Sequence, residues 1–293
     1  MKLRRVGEDA LLASLLRQLP GSRKLIGDDC AVVEFPGAKN LLVLKTDCVV
    51  EKIHFTSATD PELVGWKAMM RPLSDFAAVS ATPQFALITL IVPAARSTTW
   101  VHKLYRGLKR AAARFDVAIV GGETSATRGA AVVSVSISGG VEKNRSVSRA
   151  GGKRGDDLFV TGRLGGSLRG KHLRFVPRIE ESRWLTKHFR VHAMMDLSDG
   201  LGADLPRLAK ASGLGFKIDK DALPLAPGAK IDNAISDGED YELLFAVSPR
   251  DRARLERSWR KKFSKLPLTR IGSFTHLSSF ILHPLPRGYV HFQ

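Results

Sequence analysis

Cysteine and long apolar runs are scarce in this chain of 293 residues, and each scarcity excludes a class of protein. The two cysteines, Cys30 and Cys48, are too few for a disulfide framework. No run of about 18 or more apolar residues exists, so we expect no membrane-spanning helix. The charged N-terminus has no apolar core behind it and does not resemble a secretory signal. The sequence therefore predicts a cytoplasmic protein with two reduced, buried thiols.

Acidic residues are also few, with 29 Asp and Glu against 46 Lys and Arg, and the formal net charge is +17. Such a charge fits a solvated basic surface, the attraction of a small polyanion, or nucleic-acid binding. The basic residues are spread along the chain, with a local excess at 250–262 that alternates with Leu255, Trp259 and Phe263. This spacing predicts an amphipathic helix with a charged outer face. We favour the solvated surface and regard nucleic-acid binding as the weakest explanation.

Several familiar catalytic patterns are missing. Neither the P-loop pattern Gly-x-x-x-x-Gly-Lys-Ser/Thr nor the catalytic loop of protein kinases occurs. Gly-x-Ser-x-Gly is absent, no Rossmann glycine pattern follows a strand, and Cys and His do not recur at zinc spacing. Any phosphate chemistry in this chain must therefore use other groups.

Helical and strand patterns alternate along the chain and predict an α+β (α/β) fold in two domains. Helices are predicted at 8–19, 61–80, 97–115, 179–189, 201–211 and 250–262. Strands are predicted at 30–35, 41–46, 85–92, 117–120, 131–138, 157–161, 191–195, 215–218, 241–247, 268–271 and 280–282. A glycine pair at 139–140 and a segment rich in Gly and Arg at 148–155 predict the boundary between domains 1–148 and 149–293.

Acidic residues recur beside small residues at the ends of apolar runs, in the segments 26–31, 44–47, 73–78, 120–124, 195–200 and 236–242. Each segment alone is explained by a turn, a helix cap or a solvated charge. Together they suggest carboxylates gathered at one edge of a sheet, where ligands bind in open α/β sheets. Unpaired aspartates would repel one another unless cations were bound, and magnesium prefers oxygen ligands. The pattern therefore predicts a site for several magnesium ions, whose usual partner is a nucleotide polyphosphate.

Three glycine pairs accompany these segments, at 121–122, 151–152 and 165–166. Without side chains, they are expected to let backbone amides approach phosphate oxygens.

The same segments carry a family resemblance that runs nearly from end to end. They include Gly27-Asp28-Asp29-Cys30-Ala31, Thr46-Asp47 with His54-Phe55, Trp66-Lys67-Ala68 before Leu73-Ser74-Asp75, Gly121-Gly122-Glu123-Thr124, Ser148-Arg149-Ala150-Gly151, Asp196-Leu197-Ser198-Asp199-Gly200-Leu201 and Gly238-Glu239-Asp240-Tyr241-Glu242-Leu243. In order and spacing the chain resembles the thiamine-monophosphate kinase family, of the superfamily of aminoimidazole ribonucleotide synthetase and selenophosphate synthetase.

The resemblance implies a two-domain, aminoimidazole ribonucleotide synthetase-like fold and a homodimer whose N-terminal domains form a β-barrel. It also implies ATP and Mg²⁺ as cofactors, with phosphoryl transfer from ATP to thiamine monophosphate in line and without a covalent enzyme intermediate. The implied magnesium ligands are Asp29, Thr46, Asp47, Asp75, Glu123, Asp196 and Asp199, of which Asp47, Asp75 and Asp199 are the catalytic candidates. The implied nucleotide contacts are Tyr105, Gly122, Glu123, Arg149 and Ser198. The implied substrate contacts are His54, Glu239 and Tyr289.

Three positions depart from the family pattern. Glu123 replaces an aspartate, Lys45 stands where a small hydroxyl residue is frequent, and Asp237 adds a carboxylate before Gly238-Glu239. The Lys45 ammonium replaces the charge of a metal ion if it turns inward and has no such role if it turns outward. Two other functions stay open: a sister enzyme with a different acceptor, and a degenerate basic protein that binds nucleotide or nucleic acid.

Overall fold

The structure, a computed structural model, describes residues 7–19 and 26–277. It contains two five-stranded sheets, each accompanied by helices, and so confirms the α+β class. The predicted strand at 280–282 and the candidate substrate contact Tyr289 lie outside the described residues. Within them, no helix is long and apolar enough to cross a membrane.

The first sheet is formed by the N-terminal half of the chain and has the strand order β1-β2-β5-β3-β4. Its strands are β1 (Ala31–Val33), β2 (Leu41–Val50), β3 (Thr82–Pro93), β4 (Ala118–Thr127) and β5 (Val132–Val141). Strands β3 and β4 are parallel, whereas the other paired strands of the described chain are antiparallel. Alternate residues of β5 are buried, so one face of this sheet packs against the core.

Three helices belong to the same half: α1 (Glu8–Arg17), α2 (Pro61–Ala78) and α3 (Thr98–Arg114). Helix α2 begins where Asp60 accepts a hydrogen bond from the Glu62 amide and Pro61 occupies the first turn. It packs on β2 and β5 and also against α3. At the crossing, a Cβ on Gly65 would collide with the backbone carbonyl of Leu104, so the two helices approach closely only because Gly65 lacks a side chain.

The second sheet has the strand order β7-β9-β6-β10-β8. Its strands are β6 (Asp157–Thr161), β7 (Val191–Asp196), β8 (Gly215–Ile218), β9 (Leu243–Val247) and β10 (Leu268–Thr275). Its helices are α4 (Ile179–His188), α5 (Leu201–Ala211), α6 (Ile231–Ser236) and α7 (Arg252–Lys262). Helix α2 also contacts α4 and β7, so the helix that carries Asp75 lies against both halves of the chain.

Most predicted elements are confirmed, although β2 and β10 each extend four residues beyond their predicted ends, to Val50 and Thr275. The strand predicted to stop at residue 120 continues through Gly121-Gly122 to Thr127, and the short helix α6 was not predicted. The basic segment at 250–262 does form an amphipathic helix, α7, which buries Leu255 and Trp259. Both cysteines are free thiols, with Cys30 buried and Cys48 half-buried.

Candidate active site

Three buried carboxylates from separate elements converge at the junction of the two sheets. Asp29 precedes β1, Asp75 lies in the last turn of α2, and Asp196 ends β7. One oxygen from each lies within 4.8 Å of the other two. Among the described residues this is the one group of His, Cys, Asp and Glu side chains close enough to share a metal ion. The predicted gathering of Asp29, Asp75 and Asp196 is therefore present in the fold.

Each of these carboxylates has a protein partner. Arg149 donates to both oxygens of Asp29, at 2.7 and 3.1 Å. The Ser74 hydroxyl donates to Asp196 Oδ2 at 2.6 Å, and Lys45 Nζ lies 3.0 Å from Asp75 Oδ1. Asp29 and Asp75 are thus not unpaired charges, because the distant side chains of Arg149 and Lys45 supply two cations.

Burial and the repulsion of neighbouring carboxylates disfavour ionisation of Asp75 and Asp196. Burial raises the pKa of Asp196 to about 7, and the neighbouring charge of Asp29 adds to the effect. Burial also raises the pKa of Asp75 well above its usual value, although Lys45 opposes the shift. These raised pKa values indicate that the two cations do not fully compensate the charge. Converging oxygen ligands with excess negative charge fit a hard divalent cation such as Mg²⁺.

The side chain of Asp47 lies on the same face of β2 as Lys45, because alternate residues of a strand share a face. Asp47 Oδ1 accepts from the Cys48 amide at 2.6 Å, and Oδ2 accepts from Arg71 Nε at 3.1 Å. Thr46 points to the opposite, exposed face, where its hydroxyl bonds Ser136 at 3.0 Å. The Thr46 hydroxyl is therefore not directed to the buried carboxylates, and a metal contact from this residue would have to come from its backbone.

A cavity of about 170 Å³ adjoins the cluster and collects four of the predicted functional residues. These are His54, Ser198, Asp199 and Glu239, and the remaining lining residues are Ile53, Arg71, Leu168, Gly238 and Tyr241. Two lining residues are close in sequence to members of the cluster. Arg71 lies one helical turn before Asp75, and Ser198 lies two residues after Asp196. The structure therefore places the candidate substrate residues beside the carboxylates.

A buried lysine fixes Glu239 at the wall of this cavity. Lys67, which is fully buried, contacts Glu239 at 2.6 Å and donates to the His54 carbonyl at 2.8 Å. The Tyr241 hydroxyl donates to Glu239 Oε1 at 3.3 Å, and the Tyr241 ring stacks on Phe175. Glu239 and Tyr241 both have positive φ, at 65° and 51°, an uncommon conformation for residues with side chains. The segment is held in this conformation by contacts from both halves of the chain.

His54 and Asp199 have defined partners as well. The Val50 amide donates to His54 Nδ1 at 3.1 Å, so the neutral imidazole carries its proton on Nε2. Asp199 accepts a short hydrogen bond from Arg207, which also donates to the buried Asp204 at 3.0 Å. Four of the five aspartates predicted as metal ligands therefore contact a cationic side chain.

Comparison with known proteins identifies the family. Residues 27–141 match the family described as AIR synthase related protein, N-terminal domain, and residues 118–275 match its C-terminal domain. A thiamine-monophosphate kinase of Rhodopirellula baltica is 37% identical over 96% of this chain and 95% of its own. A thiamine-monophosphate kinase of Aquifex aeolicus is 36% identical over 86% of this chain and 89% of its own. The chain belongs to the thiamine-monophosphate kinase family.

A solved structure of the same kind extends the likeness to three dimensions. The structure described as AaThiL complexed with AMPPCP and TMP is 32% identical to this chain, with a TM-score of 0.86 and 99% of each chain covered. The likeness spans both sheets and therefore includes the elements that carry the carboxylates.

In this thiamine-monophosphate kinase family member, Glu123 does not join the three carboxylates of its own chain. Glu123 is exposed on β4 and pairs with Thr89 of β3. Thr89 pairs with Ser134 of β5, and Ser134 pairs with Cys48 of β2. Three strand spacings, about 14 Å along the sheet, therefore separate Glu123 from β2. Its metal and nucleotide roles stay predictions, as do those of Gly122 in β4 and of half-buried Tyr105 in α3.

The glycine pairs do not all serve the expected purpose. The amides of Gly151 and Gly152 donate to Ser212, and those of Gly165 and Gly166 donate to Asp240 and Asp237. The expectation that these four amides face phosphate oxygens is therefore wrong. In β4, a Cβ on Gly122 would collide with the Ile88 carbonyl, so this glycine permits close strand pairing.

Two further carboxylates near the site bond backbone amides, and three cations of the site were not predicted. Asp237 turns to the Gly166 amide at 2.7 Å and so supports a loop. Asp28 accepts from the Arg149 amide at 2.6 Å. The cations Lys67, Arg71 and Arg207 were missed because nothing in a lone Lys or Arg identifies its partner. Only Lys67 had a signal in the sequence, because it lies in the Trp66-Lys67-Ala68 segment of the family pattern.

Proposed function

We propose that this protein transfers the γ-phosphoryl group of ATP to the phosphate of thiamine monophosphate, giving thiamine diphosphate and ADP. The observation that carries the proposal is the convergence of the buried carboxylates Asp29, Asp75 and Asp196 beside the cavity that holds His54 and Glu239. The thiamine-monophosphate kinases among its relatives, and the likeness to a structure complexed with AMPPCP and TMP, support the choice of substrates.

The acceptor chemistry suits a site without a nucleophilic side chain. A phosphate monoester has a second pKa near about 6, so the acceptor oxygen is largely ionised at neutral pH. The protein then has to bind two anions next to each other and exclude water. Arg71 lines the cavity, and its buried Nη1 has no hydrogen-bond partner among the described residues. We assign Arg71 to the phosphate of the acceptor.

The carboxylates fit Mg²⁺ through the number and hardness of their oxygens. Asp29, Asp75 and Asp196 would hold the metal, with Asp47 and Asp199 at the edge of the cluster. When bound, Mg²⁺ neutralises charge on the phosphate groups during transfer. Asp47 and Asp199 are oriented by Arg71 and Arg207, and Asp196 is oriented by Ser74.

The remaining residues are assigned to binding. His54 and Glu239 would contact the thiamine part of the substrate. The Lys67 ammonium holds them near each other, since it donates to the His54 carbonyl and to the Glu239 carboxylate. Ser198 and Arg149 would contact the nucleotide, together with Gly122, Glu123 and Tyr105. We retain residues 1–148 as the domain for nucleotide binding and dimerisation and residues 149–293 as the second domain.

We also propose a homodimer in the cytoplasm. The face of the first sheet opposite α2 is apolar and exposed, with Leu44, Phe85, Leu87 and Val120 on it. An apolar patch of this kind marks an interaction surface, and pairing two such faces would form the barrel expected for this family. Two free thiols suit a reducing compartment.

The test is a panel of acceptors with purified protein, ATP and Mg²⁺. Thiamine monophosphate, thiamine, aminoimidazole-type phosphates and inorganic phosphate would be compared by product formation. We expect thiamine diphosphate and ADP in equal amounts with the first acceptor and no transfer to the others. ADP formation with another acceptor alone would favour a sister enzyme. Salt-sensitive nucleic-acid binding without transfer would favour a degenerate basic protein.

A further inference from the structure

A lysine side chain lies within the carboxylate cluster. Lys45 follows Leu44 on β2 and, by strand alternation, shares its face with Val43 and Asp47 towards α2. Its Nζ lies 3.0 Å from Asp75 Oδ1, and its side chain is only 24% exposed. The ammonium therefore turns inward, which resolves the direction that the sequence left open.

The charges around Lys45 can be counted. Four carboxylates, those of Asp29, Asp47, Asp75 and Asp196, lie in or beside the cluster. Three cations contact them: Arg149 at Asp29, Arg71 at Asp47 and Lys45 at Asp75. The formal sum is one negative charge, and without Lys45 it would be two. The lysine thus halves the negative charge that divalent ions have to neutralise.

The position of the ammonium also limits where a metal can bind. Magnesium binds carboxylate oxygens at about 2.1 Å. A metal on Asp75 Oδ1 would therefore lie no more than about 5 Å from Nζ, the sum of that distance and the 3.0 Å contact. Two cations this close repel each other, so the ammonium and a metal compete for this oxygen.

We propose that Lys45 is a fixed cation at Asp75, which makes this protein bind one divalent ion fewer per chain than the same site without the lysine. The inference rests on the proposed function, which brings the divalent ions and the nucleotide to the cluster. Lys45 is a positioning residue for charge: it acts through Asp75 and does not contact the reacting atoms.

The experiment counts bound metal ions. Mn²⁺ would be titrated into the protein with saturating AMPPCP, with free Mn²⁺ measured by electron paramagnetic resonance. The variants are Lys45→Ser and Lys45→Gln, which remove the charge. The matched control is Lys143→Ser, which removes an exposed lysine that pairs with Glu34 at 2.7 Å in the same half of the chain. We expect one additional Mn²⁺ per chain in both Lys45 variants, and the wild-type count in the control. Equal counts in all four proteins would overturn the proposal.

Stability provides a second readout that does not depend on turnover. Without metal, the Lys45 variants should melt at a lower temperature than the wild type, and Mg²⁺ should raise their melting temperature more than that of the wild type. Variants that stay unfolded at every Mg²⁺ concentration would also overturn the proposal, because a divalent ion then does not take the place of the ammonium. Wild-type protein that makes no thiamine diphosphate, with variants that gain an ion, would refute the kinase proposal alone.

Discussion

At the scale of single residues, each aspartate of the site contacts one specific polar or cationic side chain. Four of them contact a cation: Asp29 contacts Arg149, Asp47 contacts Arg71, Asp75 contacts Lys45 and Asp199 contacts Arg207. Removing one member of such a buried pair leaves an uncompensated charge, which is far more costly than breaking an exposed pair. Each cation therefore compensates part of the negative charge of the aspartate that it contacts.

Asp240 tests whether burial raises the pKa of a carboxyl group in this fold. Burial raises its pKa to about 6, against an unperturbed 3.8, and Lys171 only partly opposes the shift. Because the folded state binds this proton more tightly than the unfolded state, the stability due to Asp240 is present below pH 4 and is lost as pH rises through 6. Asp240→Asn cannot ionise, so its free energy of unfolding should gain about 3 kcal/mol relative to the wild type between pH 4 and 7.

The measurement is urea unfolding of wild type and Asp240→Asn from pH 4 to pH 7. Asp221→Asn, a change at an exposed aspartate, is the control and should follow the wild type throughout. If the free energies of unfolding of wild type and Asp240→Asn changed equally with pH, Asp240 would have the same pKa in the folded and unfolded states, and the prediction would be wrong.

The sequence predicted which aspartates would come together but not which side chains would contact them. Carboxylates next to small residues at strand ends are visible in one dimension, and Asp29, Asp75 and Asp196 do meet. Their partners are distant: Arg149 is 120 residues from Asp29, and Lys67 is 172 residues from Glu239. No local pattern encodes a contact at that separation, so the cations were found only in the fold.

At the scale of elements, periodicity was sufficient for most helices and strands and failed where glycine interrupted it. Strand β4 passes through Gly121-Gly122, which carry no side chain to show the alternation. Helix α6 spans only Ile231–Ser236, too short for a helical period to be recognised. The two misses have the same cause, since in both the local signal was too weak and long-range packing decided the structure.

The close crossing of α2 and α3 predicts how a substitution at Gly65 changes the free energy of unfolding. A methyl group at Gly65 would enter the backbone of Leu104 and Leu108, so Gly65→Ala should lower the free energy of unfolding by about 3 kcal/mol or more. If the helices did not touch there, the same change would stabilise α2 by about 1 kcal/mol, because alanine is the better helix former. Denaturant unfolding distinguishes the two signs.

The control for this substitution is Gly129→Ala, where the nearest atom to an added Cβ is the Thr127 hydroxyl at 3.6 Å. Its unfolding curve should coincide with that of the wild type. Because α2 carries both Lys67 and Asp75, a displaced α2 in Gly65→Ala should also lower kinase activity, which the control should retain.

At the scale of the whole molecule, the exposed apolar face of the first sheet is the feature that a single chain does not explain. Leu87 on β3 is 49% exposed and belongs to this face. A glutamate there would place a charge in the proposed dimer interface. We expect Leu87→Glu to be a monomer by analytical ultracentrifugation where the wild type is a dimer.

Leu277→Glu is the matched control, since Leu277 is 54% exposed and lies beyond the second sheet. It should sediment as the wild type does. A wild-type protein that remains monomeric at high concentration would refute the proposed pairing of sheets, and with it the barrel.

The most direct test of the central claim is the rate of thiamine diphosphate formation from ATP and thiamine monophosphate, with and without Mg²⁺, in wild type and Asp75→Asn. We expect Mg²⁺-dependent turnover in the wild type and a loss of roughly 100-fold or more in Asp75→Asn, which is the usual effect of removing one electrostatic contact to a transition state. Asp232→Asn, an exposed change in α6, should keep the wild-type rate. Undiminished turnover in Asp75→Asn, or turnover without any divalent ion, would contradict the claim that the buried carboxylates carry the chemistry.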